Sequence, residues 1–210
     1  MLVLFFPFLV VFILAFYLFL VENIPSYVPF LLIVASFIAV LFALLVQHCI
    51  SSVALHIASN DSFAQMIFNS FLYSATIEEI SKIFFFFTTY KLLHLRQQAK
   101  EKTNSTSIRT ISRLAMLFAS SFAAFETVSY SIYEPQLLFI RLFSASLLHI
   151  LVAPIYVGIF KKQMLLSIFA SISIHGIYNL LVEASSVTFP FSFLVLIPLL
   201  LKASYDLRHT

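Results

Sequence analysis

Long apolar stretches dominate the chain, separated by short polar or proline-bearing breaks. Seven stretches stand out, at about 1–21, 28–49, 63–92, 113–133, 137–160, 163–184 and 187–202. A bilayer core is about 30 Å thick and takes roughly 20 apolar residues of helix. The breaks fall at Pro25 and Pro29, in the Ser51–Ser62 region, along Lys91–Arg113, at Glu134-Pro135, at Lys161-Lys162 and at Ser185-Ser186. The pattern predicts an all-α integral membrane protein with about seven transmembrane helices. It also predicts one polytopic membrane domain over residues 1–210, with a polar loop at about 93–112. The third stretch is too long for a simple crossing. From Asp61, a plausible N-cap, to Lys91 is 30 residues, or about 45 Å of helix. Its start, about 61–75, is expected to form a separate or bent piece in the outer interface.

Composition sharpens this picture. Of 210 residues 61% are hydrophobic and only 10% charged, against about 25% charged in a soluble domain; mean hydropathy is +1.04. Glycine occurs only at Gly158 and Gly176, so Ala and Ser must supply close helix contacts. Cys49 is alone and makes no internal disulfide. The first stretch lacks a basic flank and a small-residue cleavage site, and is expected to remain as a span rather than act as a signal peptide. Ten of the 12 Lys and Arg residues lie between spans or in the tail. Alternate crossings put all ten on one side, which the positive-inside rule makes cytoplasmic. The N-terminus is then outside and the C-terminus inside, in the cell (inner) membrane. No nucleic-acid patch is present.

Several polar residues sit where hydrocarbon is expected. Lys82, Arg141, Glu78, Glu79, Glu126, His149 and His175 all lie within spans. Each central Lys, Arg or Asp costs roughly 2.5–3.5 kcal/mol, so five such charges cost on the order of 15 kcal/mol unless compensated. They must face one another or a wet cavity, or become neutral. Their depth agrees. Glu78 and Glu79 lie 13 and 12 residues from Lys91, Glu126 lies 13 from Arg113, His149 lies 12 from Lys161 and His175 lies 13 from Lys162. That is about 18–20 Å from the basic boundary on four different helices. The expectation is a set of helices enclosing an intramembrane polar cavity.

Spacing adds detail. Glu78 and Lys82 are i,i+4, with Glu on the favoured N-terminal side. Lys82 can balance one carboxylate of the adjacent pair. The other is left with burial and like-charge repulsion, the conditions that make a carboxylate a usable base. His175 and Asn179 are also i,i+4, as are Glu126 and Tyr130. Arg141, nearer the outer surface, is placed to pair with Glu126 or a glutamate of the pair. His48 and Cys49, at the end of the second stretch, are read as interfacial packing.

At these residues the chain resembles the PrsW-type intramembrane proteases. Glu78-Glu79-Ile80-Ser81-Lys82 looks like their EExxK motif and Phe125-Glu126-Thr127-Val128-Ser129-Tyr130 like FExxxY. Arg141 to His149 matches their arginine–histidine spacing, and His175-Gly176-Ile177-Tyr178-Asn179 resembles HxxxN. The motif-bearing core spans about 63–184. The wider superfamily includes CAAX prenyl proteases and bacteriocin-processing enzymes, which typically show EExxxR and FxxxH. Ile83 and Ser129 depart from those patterns and point away from the prenyl-protease branch.

The resemblance implies a glutamate-dependent peptidase acting on membrane proteins, with single-span anti-sigma factors among the family's substrates. The expected chemistry is amide hydrolysis by activated water. Glu78 is the expected general base, and Glu79 orients the water or Glu78. His149 holds the water or shuttles a proton, and His175 and Asn179 donate to the oxyanion. Lys82, Glu126, Tyr130 and Arg141 are expected to support these groups from behind. No cofactor is expected. Zinc is the alternative, because Glu and His are zinc ligands, though there is no HExxH and the donors come from separate helices. A proton-coupled transporter or channel also uses intramembrane carboxylates and histidines, but the chain shows no inverted repeat. A catalytically inactive membrane chaperone is a third alternative. The expected partners are a membrane-protein substrate and the lipid bilayer.

Overall fold

The computed structural model describes residues 6–22, 24–57, 62–100, 107–133, 141, 144–156, 158, 163–184 and 197–199. Among these, all regular structure is helical. Helix α1 covers Phe6–Leu20 and α2 covers Tyr27–Ile57. Helix α3, Ser62–Ile67, runs through a π-helical segment, Phe68–Ala75, into α4, Thr76–Lys100. Helix α5 covers Ile108–Tyr133; α6, Ala145–Val152, ends in a 3-10 turn, Ala153–Tyr156; α7 covers Met164–Ala184.

Local chemistry explains the helix starts. Pro29 sits in the first turn of α2, where no backbone N–H is needed. Ser107 caps α5: its hydroxyl accepts from the Thr110 N–H at 3.1 Å, satisfying one of the orphan donors of the first turn. Among the described residues three helices are long and apolar enough to cross a membrane: Tyr27–Ser51 within α2, Ile108–Ile132 within α5, and α7. Pro7–Leu20 and Ala145–Tyr156 are shorter apolar helices. The helical run from Ser62 to Lys100 has the length to cross, but it carries Glu78, Glu79 and Lys82. The expected seven crossings are not confirmed among the described residues, and the expected span at 187–202 lies outside them except for 197–199.

Helix α5 is the centre of the bundle, packed against α1, α2, α4 and α6. Its inward face is built of small residues: Ala115, Ala119, Ala123 and Ala124 are fully buried. Ser120 and Ser121 return their hydroxyls to the Leu117 carbonyl, both at 2.8 Å, and Ser131 to Thr127 O at 2.6 Å. Helices approach closely without glycine because Ala and back-bonded Ser present little bulk and no orphan polar group. At one end, Glu22 after α1 forms an ion pair with Arg113 of α5, and the Arg113 guanidinium lies 5.3 Å from the Tyr17 ring centre. The end of α1 and the start of α5 thus share one end of the bundle.

Three boundaries differ from those read off the pattern. Helix α2 runs on to Ile57, because Ser51 bonds back to His48 O at 2.7 Å and the polar residues stay helical. Helix α4 runs to Lys100 and α5 starts at Ile108, so the polar loop is shorter than 93–112. The segment before the glutamates is no separate piece: α3 leads without a break through the π segment into α4. Asp61, the expected cap, lies outside the described residues.

Candidate active site

The π segment sets the register of the acidic pair. The Thr76 backbone N–H reaches the Phe71 carbonyl, five residues back, and the Thr76 hydroxyl donates to the same oxygen at 2.7 Å. Such π turns widen a helix and concentrate at functional sites. This one is pressed against α7. Gly176 makes that possible, since a Cβ there would collide with the Phe71 ring. Ser74, in the same segment, donates to Glu78 Oε1 at 2.9 Å and accepts from Asn179 Nδ2 of α7 at 3.0 Å.

Four helices and the 3-10 turn then supply one continuous polar network. Arg141 Nη2 donates to Glu126 Oε1 at 2.6 Å, and its guanidinium lies 3.9 Å from the Tyr130 ring centre. The other Glu126 oxygen meets His149 Nε2 at 2.9 Å. His149 Nδ1 meets Lys82 Nζ at 2.7 Å. Lys82 also forms an ion pair with Glu79 Oε1. Glu79 Oε1 meets His175 Nδ1 at 2.8 Å, and Glu79 Oε2 accepts from the Tyr156 hydroxyl at 2.7 Å. Glu78, Glu79, Lys82, Glu126, His149, Tyr156 and His175 are all buried.

Donor and acceptor roles follow from elementary constraints. An ammonium only donates, so His149 Nδ1 accepts from Lys82 and its Nε2–H donates to Glu126. Both nitrogens of His149 are therefore engaged. Glu79 is surrounded by donors, so His175 Nδ1 carries a hydrogen; in the uncharged tautomer with that hydrogen alone, Nε2 presents a lone pair. That lone pair faces Glu78 Oε2 at 3.6 Å, too far for a hydrogen bond. Glu78 Oε2 is buried and without a partner. The other Glu78 oxygen also receives Gln47 Nε2 of α2 at 3.4 Å.

Charge separates the two adjacent glutamates. The network holds two cations, Arg141 and Lys82, against three carboxylates. Arg141 matches Glu126 and Lys82 matches Glu79, which leaves Glu78 as the acid without a Lys or Arg partner among the described residues. Lys82 pairs at i,i+3 with Glu79 and not at i,i+4 with Glu78. Asn179 acts on Glu78 through Ser74.

These motif side chains, brought together from Glu78 to Asn179, match a known family over residues 25–203, described as PrsW family intramembrane metalloprotease. The chain belongs to the PrsW family. It is thus an intramembrane protease, a hydrolase acting on a membrane-embedded substrate in a lipid environment. No curated protein and no solved structure matches it.

Within this PrsW-family chain the polar layer is closed on one side and open on the other. Phe86, Phe118, Phe122 and Tyr156 are at most 1% exposed and seal the side toward the start of α5. On the opposite side Tyr130 is 39% exposed and the Arg141 side chain 23%. Sequence reading missed Ser74, Tyr156 and Gln47. No motif marks them; the one available signal was polarity inside apolar stretches. Glu78, His149 and His175 each bring a ligand-capable atom within 4.8 Å of the others.

Proposed function

We propose that this protein hydrolyses peptide bonds of single-span membrane proteins by a water activated at Glu78. The observation that carries this reading is Glu78 Oε2, buried and without a hydrogen-bond partner among the described residues, facing His175 Nε2 at 3.6 Å. A water near both donates one hydrogen to each and turns its oxygen lone pairs outward. As that oxygen attacks the scissile carbonyl carbon, Glu78 takes the proton. It returns the proton to the departing nitrogen as the C–N bond breaks, the usual cycle of a general base turned acid. The second Nδ2 hydrogen of Asn179, the one not given to Ser74, is the candidate oxyanion donor. Such donors are worth about 3–4 kcal/mol. His149, with both nitrogens engaged, acts as a fixed strut between Lys82 and Glu126 and not as a proton carrier. Water and an unwound peptide enter from the Tyr130–Arg141 side.

A zinc reading draws on the family description and on the proximity of Glu78, His149 and His175. Two imidazoles and a carboxylate are suitable zinc donors by type. As arranged, they do not fit: His149 has no free lone pair, and its Nδ1 faces the Lys82 ammonium at 2.7 Å. Glu78 and His175 alone are two ligands, fewer than the three of a catalytic zinc site.

The test is co-expression with a panel of tagged single-span membrane proteins. Wild type cuts at least one of them, and Glu78→Gln, which keeps shape and removes the base, cuts none. A fully active Glu78→Gln protein ends this reading. Stoichiometric zinc in the purified protein, with cleavage lost on chelation and regained with zinc, replaces it with the metal reading.

A further inference from the structure

We propose that Tyr156 is a positioning residue for the hydrolysis: its hydroxyl fixes the Glu79 carboxylate, and through it aims His175 at the Glu78 oxygen. The inference rests on the reading of Glu78 as the base.

Glu79 is held by three donors from three elements. Lys82 comes from its own helix, His175 from α7, and Tyr156 from the 3-10 turn. Lys82 and His175 both converge on Oε1. Among the described residues Tyr156 alone reaches Oε2, at 2.7 Å. The terminal torsion of a glutamate is broad and roughly two-fold, so a carboxylate held at one oxygen turns about that contact. The Tyr156 bond removes this freedom. His175 takes its ring orientation from Glu79 Oε1 at 2.8 Å, so the plane of Glu79 decides where His175 Nε2 points. A carboxylate behind a histidine commonly sets that ring's tautomer and direction.

Spacing makes the clamp possible. His149 and Tyr156 are seven residues apart, nearly two helical turns, so both project from one face. His149 meets Lys82 and Tyr156 meets Glu79. Two successive turns of one segment thus grip both members of the buried ion pair. The Tyr156 ring is fully buried and lies 6.5 Å, centre to centre, from Phe86. Its packing therefore survives removal of the oxygen alone.

Tyr156→Phe in proteoliposomes, with a tagged single-span protein that wild type cuts, is expected to lower kcat roughly 10- to 100-fold, the equivalent of one hydrogen bond to a charged group. KM stays unchanged. In a Glu79→Gln background, Tyr156→Phe brings no further loss, because the group it positions is already altered. If Glu79→Gln alone does not fold, the Glu79→Gln/Lys82→Met background serves instead, read by unfolding midpoint and not by kcat. The substrate-free protein reports on the contact directly: thermal unfolding midpoints in micelles for the same set should be non-additive. Wild-type kcat in Tyr156→Phe, beside an inactive Glu78→Gln, overturns this role while leaving the base in place. Losses that multiply, or additive midpoints, overturn it as well. A merely structural tyrosine would lower stability without the coupling to Glu79.

Discussion

Lys82 is the buried cation that balances Glu79, and Lys82→Met measures that pairing. The ammonium has no solvent exposure and touches two groups, Glu79 Oε1 and His149 Nδ1. Methionine fills most of the same space without the charge. Glu79 then becomes a buried carboxylate with no cation, a change that costs about 3–5 kcal/mol when one partner of a buried pair is removed. His149 Nδ1 loses its donor, adding about 1–3 kcal/mol for an unsatisfied buried acceptor. The contact with the Phe122 ring, 5.0 Å from Nζ, is also lost. A loss of about 4 kcal/mol or more is a large part of the about 5–15 kcal/mol that holds a typical fold together. At roughly 2–4 °C per kcal/mol for a chain of this size, the midpoint falls by about 8–16 °C. The assay is thermal unfolding in detergent micelles, followed by the monodisperse fraction on size exclusion. Adding Glu79→Gln to Lys82→Met restores the wild-type charge balance and should recover a substantial part of the lost midpoint, although not activity. A Lys82→Met protein that melts with wild type, or a double variant that melts below the single one, would refute the pairing of Lys82 with Glu79.

Two further variants probe the π segment. Gly176→Ala forces a Cβ into the Phe71 ring and should cost about 1–3 kcal/mol, as overpacking does, with activity reduced because the segment bearing Ser74 must shift. Adding Phe71→Ala should relieve the midpoint loss, and an unchanged midpoint in Gly176→Ala would contradict the close approach. Ser74→Ala removes the donor at 2.9 Å from Glu78 and the acceptor of Asn179; kcat is expected to drop roughly 10- to 100-fold, the value of one hydrogen bond to a charged group, and full cleavage by this variant would show that Asn179 does not act through Ser74.

Much of the site was legible along the chain because helical rise is constant. Counting residues from the basic boundary places Glu78, Glu126, His149 and His175 at one depth whatever the helices do sideways. The cost of burying charge then requires those groups to meet, while for Arg141 depth left Glu126 and the acidic pair both open and the fold chose Glu126. Partner choice was not legible. Lys82 stands three residues from Glu79 and four from Glu78, and both spacings bring helix neighbours together. The neighbours from α6 and α7 decide for Glu79, and helix spacing carries no record of them.

The linear pattern of the chain determined that it is helical, apolar and membrane-bound, and that acids, bases and cations share one layer, since hydropathy and axial depth are sums over local residues. Tertiary structure alone decided that both Glu79 oxygens are engaged while Glu78 keeps one without a partner among the described residues, that Tyr156 and Ser74 stand behind them, and that a π turn sets their register. Those outcomes depend on rotation about the helix axes and on contacts between distant segments. A shift of one residue in either leaves the hydrophobic pattern almost unchanged while redirecting every hydrogen bond in the site.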